Sequence, residues 1–167
     1  MNSKQILAAA SAVVLIVILV YPSVSVGTLT VSLTSSKLTN AEHLYVTINT
    51  IWAHPKGQAT GGGWVLVYNK TVNADLAALQ NSSMILGSGQ ISSGDYDQIR
   101  IEVSNATWVF NKTSTPLGVA SPEIDGNLDF TVGAAKATTI LITLTSQKEL
   151  IANSDYFTST MNATLTT

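Results

Sequence analysis

Hydrophobic and polar residues alternate along most of the chain after residue 26. In GTLTVSLTS, residues 27–35, the side chains of Leu29, Val31 and Leu33 point to one side, and the threonines and serines between them point to the other. A period of two is typical of a β-strand that is buried on one face only. The same alternation predicts further strands over residues 43–54, 63–69, 96–111, 127–132, 137–146 and 156–165.

Turn residues separate these strands, and one segment departs from the alternation. VNADLAALQN, residues 72–81, predicts a short helix of about two turns, with Asn73 or Asp75 as its N-cap. About eight short strands at this spacing predict an antiparallel sandwich or barrel. We expect an all-β fold, specifically an antiparallel immunoglobulin-like β-sandwich with one short helix, and a single domain over residues 37–167.

The N-terminal segment, residues 1–25, has the pattern of a secretory signal peptide. Lys4 precedes an apolar run over residues 6–20, and Ser23 and Ser25 are small residues at the −3 and −1 positions of a cleavage site. The run is shorter than the ~20 residues of a comfortable transmembrane helix. We expect cleavage and contact with the membrane only during export. An uncleaved anchor is the alternative, whereas a type IV pilin helix fits poorly because Pro22 stops the helix early.

The chain is poor in charge and lacks cysteine. Charged residues make up 11% of the sequence, against about 25% in ordinary globular proteins, and the net charge is −2. No basic patch is present to bind nucleic acid. Serine, threonine and asparagine carry the polarity, so the surface stays hydrated when carboxylates protonate, which suits an acidic exterior. Without disulfides, the core, glycans or neighbouring subunits must stabilise the protein.

The sequence offers little catalytic chemistry. It has two histidines and no cysteine, G-x-S-x-G motif or phosphate loop. Asp95 and Asp97, with Glu42, are a conceivable cation site, but aspartates of this kind usually stabilise turns through nearby backbone amides. His54 precedes a proline and is expected to be a turn histidine. We therefore predict no enzyme activity, no cofactor and no metal site.

N-glycosylation sequons are a more informative signal. N-x-[ST] needs an exposed asparagine and a secretory route, although a chain rich in serine and threonine also makes sequons by chance. All of them fall in predicted turns or on the polar face of a predicted strand. We expect N-linked glycans on most of the five asparagines, which are Asn69, Asn81, Asn105, Asn111 and Asn162.

Several segments together resemble a family of uncharacterised prokaryotic surface domains. GTLTVSLT fits an opening G-x-L-x-V-x-L-T, and GDYDQIRI, residues 94–101, fits a G-x-Y-x-x-I-R-I strand midway. With the signal peptide and the dense sequons, the chain resembles more narrowly the subunit of archaeal thread filaments, which is related in plan to archaeal bundling pili. The resemblance implies a donor strand over residues 26–36, in which Leu29, Val31 and Leu33 fill the sheet of the next subunit.

Two classes of function follow. The first is a structural subunit of an extracellular cell-surface filament, a head-to-tail homopolymer built by donor-strand complementation and used for adhesion or cell–cell contact. In it, a sheet containing strands 137–146 and 156–165 is the expected acceptor. The second is a monomeric secreted or surface-anchored module that binds sugar or another ligand, with strand 27–35 in its own sheet. Trp52, Trp64 and Trp108 are its candidate residues, although tryptophan in a sandwich more often lies in the core.

Overall fold

The computed structural model describes residues 25–59, 61–151 and 154–166, and the predicted signal peptide lies outside these ranges except for Ser25. The described residues are all-β, as predicted, with no helix among them. Accordingly, none of the described segments is a helix long and apolar enough to span a membrane. The strands are β1 (Val26–Ser35), β2 (His43–Pro55), β3 (Val65–Tyr68), β4 (Val72–Asp75), β5 (Met84–Ser92), β6 (Gly94–Phe110), β7 (Thr113–Val119), β8 (Glu123–Val132), β9 (Ala137–Ile151) and β10 (Ser154–Thr166).

The strands form a nearly closed barrel. Their hydrogen-bonded order is β3-β2-β6-β7-β10-β9-β1-β5, with β4 also paired to β2 and β8 to β6. The two ends of this order lie close together, since a Cβ atom placed on Gly89 of β5 would be 1.9 Å from the carbonyl oxygen of Val67 in β3. A glycine is therefore needed where the barrel comes nearest to closing.

The core follows from the alternation in the sequence. Inward residues of β2 and β6, such as Leu44, Ile48, Ile99 and Ile101, are at most 1% exposed. Long, regularly alternating strands bury one complete face in this way. The largest fully buried side chains are Phe157, Leu29, Leu33, Leu44, Ile48, Ile51, Leu76, Ile99, Ile101, Ile140, Ile142 and Leu144.

The predicted short helix over residues 72–81 is wrong. Residues 72–75 are β4, which pairs antiparallel with β2 from Tyr45 to Ile48. After β4 the chain forms turns in which the backbone N–H of Ala78 donates to the carbonyl of Asp75 and the N–H of Leu79 to that of Leu76. Asp75 caps the first of these turns instead of a helix, because its carboxylate accepts the N–H of Ala77 at 3.1 Å. A segment of ten residues is too short to sustain a helix by its own propensity, so the pairing of β4 with β2 determines its conformation.

The arrangement is also not purely antiparallel, as the prediction had it. β1 runs parallel to β9, and β10 runs parallel to β7 over two residue pairs. The sequence analysis missed β5 and β7 as strands, and it ended β9 five residues early. β5 contains Gly87 and Gly89, and β7 contains Pro116, which are residues that weaken a strand signal.

Candidate functional site

The strand β1 is an interior strand of the sheet, next to the end strand β5, and not an edge strand. On one side it pairs antiparallel with β5, and on the other it pairs parallel with β9 from Thr28↔Ala137 to Ser35↔Leu144. We call the groove between β5 and β9 the β1 slot. In this chain its occupant is the chain's own β1, which makes backbone ladders on both edges.

The side chains of β1 match the slot on both faces. Leu29, Val31 and Leu33 are 0% exposed and lie in the core. On the opposite face, the hydroxyl of Thr30 lies 3.0 Å from that of Ser88 in β5. The hydroxyl of Thr34 lies 2.9 Å from the carbonyl oxygen of Leu79. The inward side chains of β1 therefore pack in the core, and the outward hydroxyls of Thr30 and Thr34 make hydrogen bonds.

Only a short link joins β1 to the rest of the domain in the described residues. β2, the next strand along the chain, does not pair with β1 but with β3, β4 and β6. The link, residues 36–42, stays near the slot at first, with Leu38 6% exposed. It then passes Asn40, whose φ is 56° and whose carbonyl accepts the indole N–H of Trp108.

A surface cavity of about 660 Å³ borders this link. Lys37 and Asn40 of the link line it, together with Trp108 and with Gln147 of β9. At this end β9 continues to Ile151, whereas its pairing with β1 ends at Leu144. The link is therefore next to open space.

The five sequon asparagines are all exposed. Asn69 and Asn81 lie in connections that follow β3 and β4, and Asn111 lies in the turn between β6 and β7. Asn105 and Asn162 lie on the outward faces of β6 and β10. Exposure is what glycosylation of these residues requires.

The conceivable cation ligands are engaged with different partners. Asp95 accepts the hydroxyl of Thr131 at 2.6 Å, and Asp97 lies 2.7 Å from His54. Glu42 accepts the backbone N–H of Lys112. Across residues 25–59, 61–151 and 154–166, no three histidine, aspartate or glutamate side chains are grouped so that they could hold a metal ion.

His54 is a buried strand residue and not the turn histidine that the sequence predicted. It is 1% exposed, with Nδ1 2.7 Å from Oδ1 of Asp97 and Nε2 3.2 Å from the carbonyl oxygen of Ala59. Both oxygens only accept hydrogen bonds, so this arrangement favours the doubly protonated, positively charged form of the ring. The hydrogen bond to Asp97 raises the pKa of His54, and burial opposes this increase.

The three tryptophans differ in their environment. Trp108 is 8% exposed and belongs to the core. Trp52 and Trp64 are partly exposed and line one cavity together with Arg100, which the sequence analysis had not singled out. The strand period predicts that Arg100 faces outward, because it alternates with the buried Ile99 and Ile101, but its position opposite Trp52 depends on the β2–β6 register.

Comparison with known proteins adds a family but no function. No curated protein matches the chain. A solved structure, a leucine-rich repeat protein from Bacteroides thetaiotaomicron, aligns at 11% identity with a TM-score of 0.27, over 71% of this chain and 13% of that one. The family model described as a domain of unknown function (DUF4382) matches residues 26–159, and the chain therefore belongs to that family.

Proposed function

We propose that the protein is a structural subunit of an extracellular cell-surface filament, which polymerises by donor-strand complementation and serves adhesion or cell–cell contact. The observation that carries the proposal is the position of β1. This strand is paired on both edges, fully buried on one face, and joined to the domain by a single short link. The β1 of a second copy has the same sequence and fits the same slot.

Exchange of β1 between copies has a low thermodynamic cost. A β1 supplied by a neighbour would make the same backbone ladders with β5 and β9 as the chain's own strand makes. Burying each of its three inward aliphatic side chains is worth about 1.5–3 kcal/mol before ordering costs. An empty slot would leave this core and two rows of backbone groups open, so one copy or another must fill it.

The link is long enough for β1 to reach a neighbouring subunit. Seven residues, 36–42, span at most about 25 Å when extended, which is enough to reach an adjacent subunit. A contact in which each copy gives its strand to the next is head-to-tail, and such contacts make filaments when the rotation does not close. The partners are then further copies of the chain.

The surface and composition support an extracellular location. The five sequon asparagines are exposed, and charged residues are scarce. N-linked glycans on these asparagines would supply solubility and would keep fibres from aggregating through exposed strand edges. The chain would contact the membrane only during export.

We also infer that the barrel is a variant of the immunoglobulin-like sandwich. β1, β5, β9 and β10 form one group of paired strands, and β2, β3, β4, β6 and β8 form the other. β7 bridges the groups, with five residue pairs to β6 and two to β10. A sandwich whose two sheets share one strand accounts for this pairing.

A monomeric secreted or surface-anchored binding module is the second candidate. One observation favours it, since β1 fills the slot of its own chain. The two candidates differ only in which copy supplies β1, so an experiment has to report that connection directly.

Engineered disulfides across the slot test the proposal. Thr30 and Ser88 face each other in the β1–β5 ladder with their hydroxyls 3.0 Å apart, and directly opposed residues of an antiparallel pair suit a disulfide. Because the chain has no cysteine, the double variant Thr30→Cys with Ser88→Cys has no native thiol to compete with the designed bond. Surface material from cells making this variant is oxidised and run on a denaturing, non-reducing gel.

A ladder of covalent oligomers that collapses on reduction is the expected result. Each single-cysteine variant is the matched control and should give monomers, with no ladder beyond a chance dimer. If the double variant oxidises completely but stays monomeric, β1 fills its own slot at the cell surface. The filament proposal is then wrong and the monomeric module replaces it.

A further inference from the structure

The outer face of β2, β6 and β8 carries a small cavity remote from the β1 slot. Its volume is about 250 Å³, and Trp52, Trp64, Arg100, Glu102 and Glu123 line it. Trp52 lies opposite Arg100 in the β2–β6 ladder, and Glu102 lies opposite Glu123 in the β6–β8 ladder. The lining side chains thus come from neighbouring positions of three paired strands and from Trp64, just before β3.

The indole of Trp64 is held on two sides. The guanidinium carbon of Arg100 lies 4.2 Å from the centre of the Trp64 ring. The ring of His54 meets the indole edge-on, with the centroids 5.1 Å apart and the planes at 61°. Arg100 is in turn fixed by two carboxylates. Asp125 accepts from Nε at 2.6 Å and from Nη2 at 2.9 Å, and Glu123 lies 2.5 Å from Nη1.

Trp52 and Glu102 are also held in place. The indole N–H of Trp52 donates to the hydroxyl of Thr50 at 3.0 Å. That hydroxyl donates to one carboxylate oxygen of Glu102 at 2.9 Å. The second oxygen of Glu102 has no hydrogen-bond partner among the described residues, and Glu102 lines the cavity. A binding surface fixed by such contacts loses little entropy on binding a ligand.

The mixture of charges selects for a neutral ligand. Arg100 is already ion-paired with Asp125 and Glu123, and its guanidinium lies over the Trp64 ring, so a cation would have to compete with it for that ring. An anion would meet the carboxylate of Glu102. A neutral polyol avoids both conflicts, since Glu102 can accept its hydroxyls. Indole faces pack against the C–H faces of a ring of this kind.

The volume limits the size of the ligand. Pockets for drug-sized molecules begin near 300 Å³, so this cavity suits a single ring at the end of, or branching from, a longer chain. We propose that the cavity of Trp52, Trp64, Arg100, Glu102 and Glu123 binds one neutral pyranose unit of a carbohydrate. This site goes beyond the proposed function and does not depend on it, because it lies on β2, β6 and β8, none of which pairs with β1.

The test measures binding of four neutral probes to the full chain: methyl α-D-glucopyranoside, methyl α-D-mannopyranoside, methyl β-D-galactopyranoside and N-acetylglucosamine. Saturation-transfer NMR detects contact, and tryptophan fluorescence gives the dissociation constant. Choline and glucuronate serve as a charged cation and a charged anion. We expect at least one pyranoside to bind and to be displaced by neither ion.

Two variants locate the site. Trp64→Ala removes a stacking surface, and Glu102→Gln keeps the shape but removes the charged acceptor. Each should weaken binding about tenfold. Tyr45→Ala is the matched control, since Tyr45 is 45% exposed on β2 but lies outside the cavity, and it should leave binding unchanged.

Three results would overturn the assignment. The first is that none of the four pyranosides transfers saturation. The second is that choline or glucuronate binds more tightly than all of them. The third is that Glu102→Gln binds the best pyranoside as well as the parent chain does. Glu102→Gln decides the matter even if Trp64→Ala fails to fold, because its side chain is nearly the same size and lies on the surface of the sheet.

Discussion

Val31 of β1 lies beside Ile140 of β9 in a parallel pair, and both side chains are 0% exposed. The two residues are 109 positions apart, so their contact depends on β1 entering the slot and on nothing local. Any subunit whose slot is filled must make this contact, whichever copy supplies the strand. A substitution of Val31 therefore tests directly whether β1 must fill the slot.

Val31→Asp should abolish filaments. An uncompensated charge buried beside Ile140 costs about 3–5 kcal/mol, and the same penalty applies in every copy. Electron microscopy of the cell surface measures the loss, and thermal unfolding measures the destabilisation. Ser32→Asp is the control, because Ser32 is the next residue, faces outward and is partly exposed. It should cost less than about 1 kcal/mol and leave filaments in place.

A synthetic peptide of residues 26–36 should bind the Val31→Asp chain. The variant slot is intact except for its occupant, and a ligand that binds only the folded form raises the melting temperature. The same peptide carrying the Val31→Asp change is the control and should have no effect. Normal filaments from the Val31→Asp chain, or equal effects of the two peptides, would count against exchange of β1.

Gly27 marks a close approach at the start of β1. A Cβ atom there would lie 2.3 Å from the carbonyl oxygen of Gly133 and 2.7 Å from Cγ1 of Val132. Gly27→Ala should destabilise the fold by about 1–3 kcal/mol, as overpacking does. Gly61→Ala is the control, because a Cβ atom on Gly61 would have no neighbour within 4 Å. It should change the free energy of unfolding by less than about 0.5 kcal/mol. Urea unfolding midpoints compare the two, and equal midpoints would refute the steric account.

Mass spectrometry of protein from its native source should find glycans on at least three of the five sequon asparagines. Asn73 is equally exposed but lies outside a sequon, so its peptide should be unmodified. Replacing the sequon asparagines by glutamine should leave the fold intact, because none of them is buried. Fibres should then bundle laterally, since the steric shield over exposed strand edges is gone. Unmodified sequon peptides would refute this prediction. The five sequon asparagines are Asn69, Asn81, Asn105, Asn111 and Asn162.

The predictable part of the fold is the part with a long, regular period. β2 and β6 were found nearly to the residue, because Leu44, Ile99 and Ile101 repeat at every second position and one face is wholly buried. β5 was missed because Gly87 and Gly89 give it little β propensity. Both glycines are there because other residues approach closely: the ring of Tyr68 lies over Gly87 and the backbone of Val67 lies over Gly89.

The candidate sites divide in the same way. The inward face of β1 could be predicted, because alternation alone places Leu29, Val31 and Leu33 on one side. The cavity of Trp52 and Trp64 could not, because it depends on the register that puts Arg100 opposite Trp52 and Asp125 opposite Arg100. Register is set by long-range pairing and by bulges, which leave no local pattern in the sequence.

His54 should make stability fall as the pH rises. Its pKa is raised in the folded protein, chiefly by the hydrogen bond to Asp97. The folded state therefore favours protonation of the ring more than the unfolded state does. This contribution is complete below the unfolded pKa of about 6.5 and is lost as the pH rises through the higher folded value. Urea unfolding at a series of pH values from about 6 upward measures the decrease. Asp97→Asn keeps an acceptor oxygen for Nδ1 but removes the carboxylate charge, so it should destabilise the protein by about 1.5–3 kcal/mol at the lower pH and flatten the decrease above it. If the variant loses stability with pH as steeply as the parent chain, another group causes the dependence and the charged His54–Asp97 pair does not.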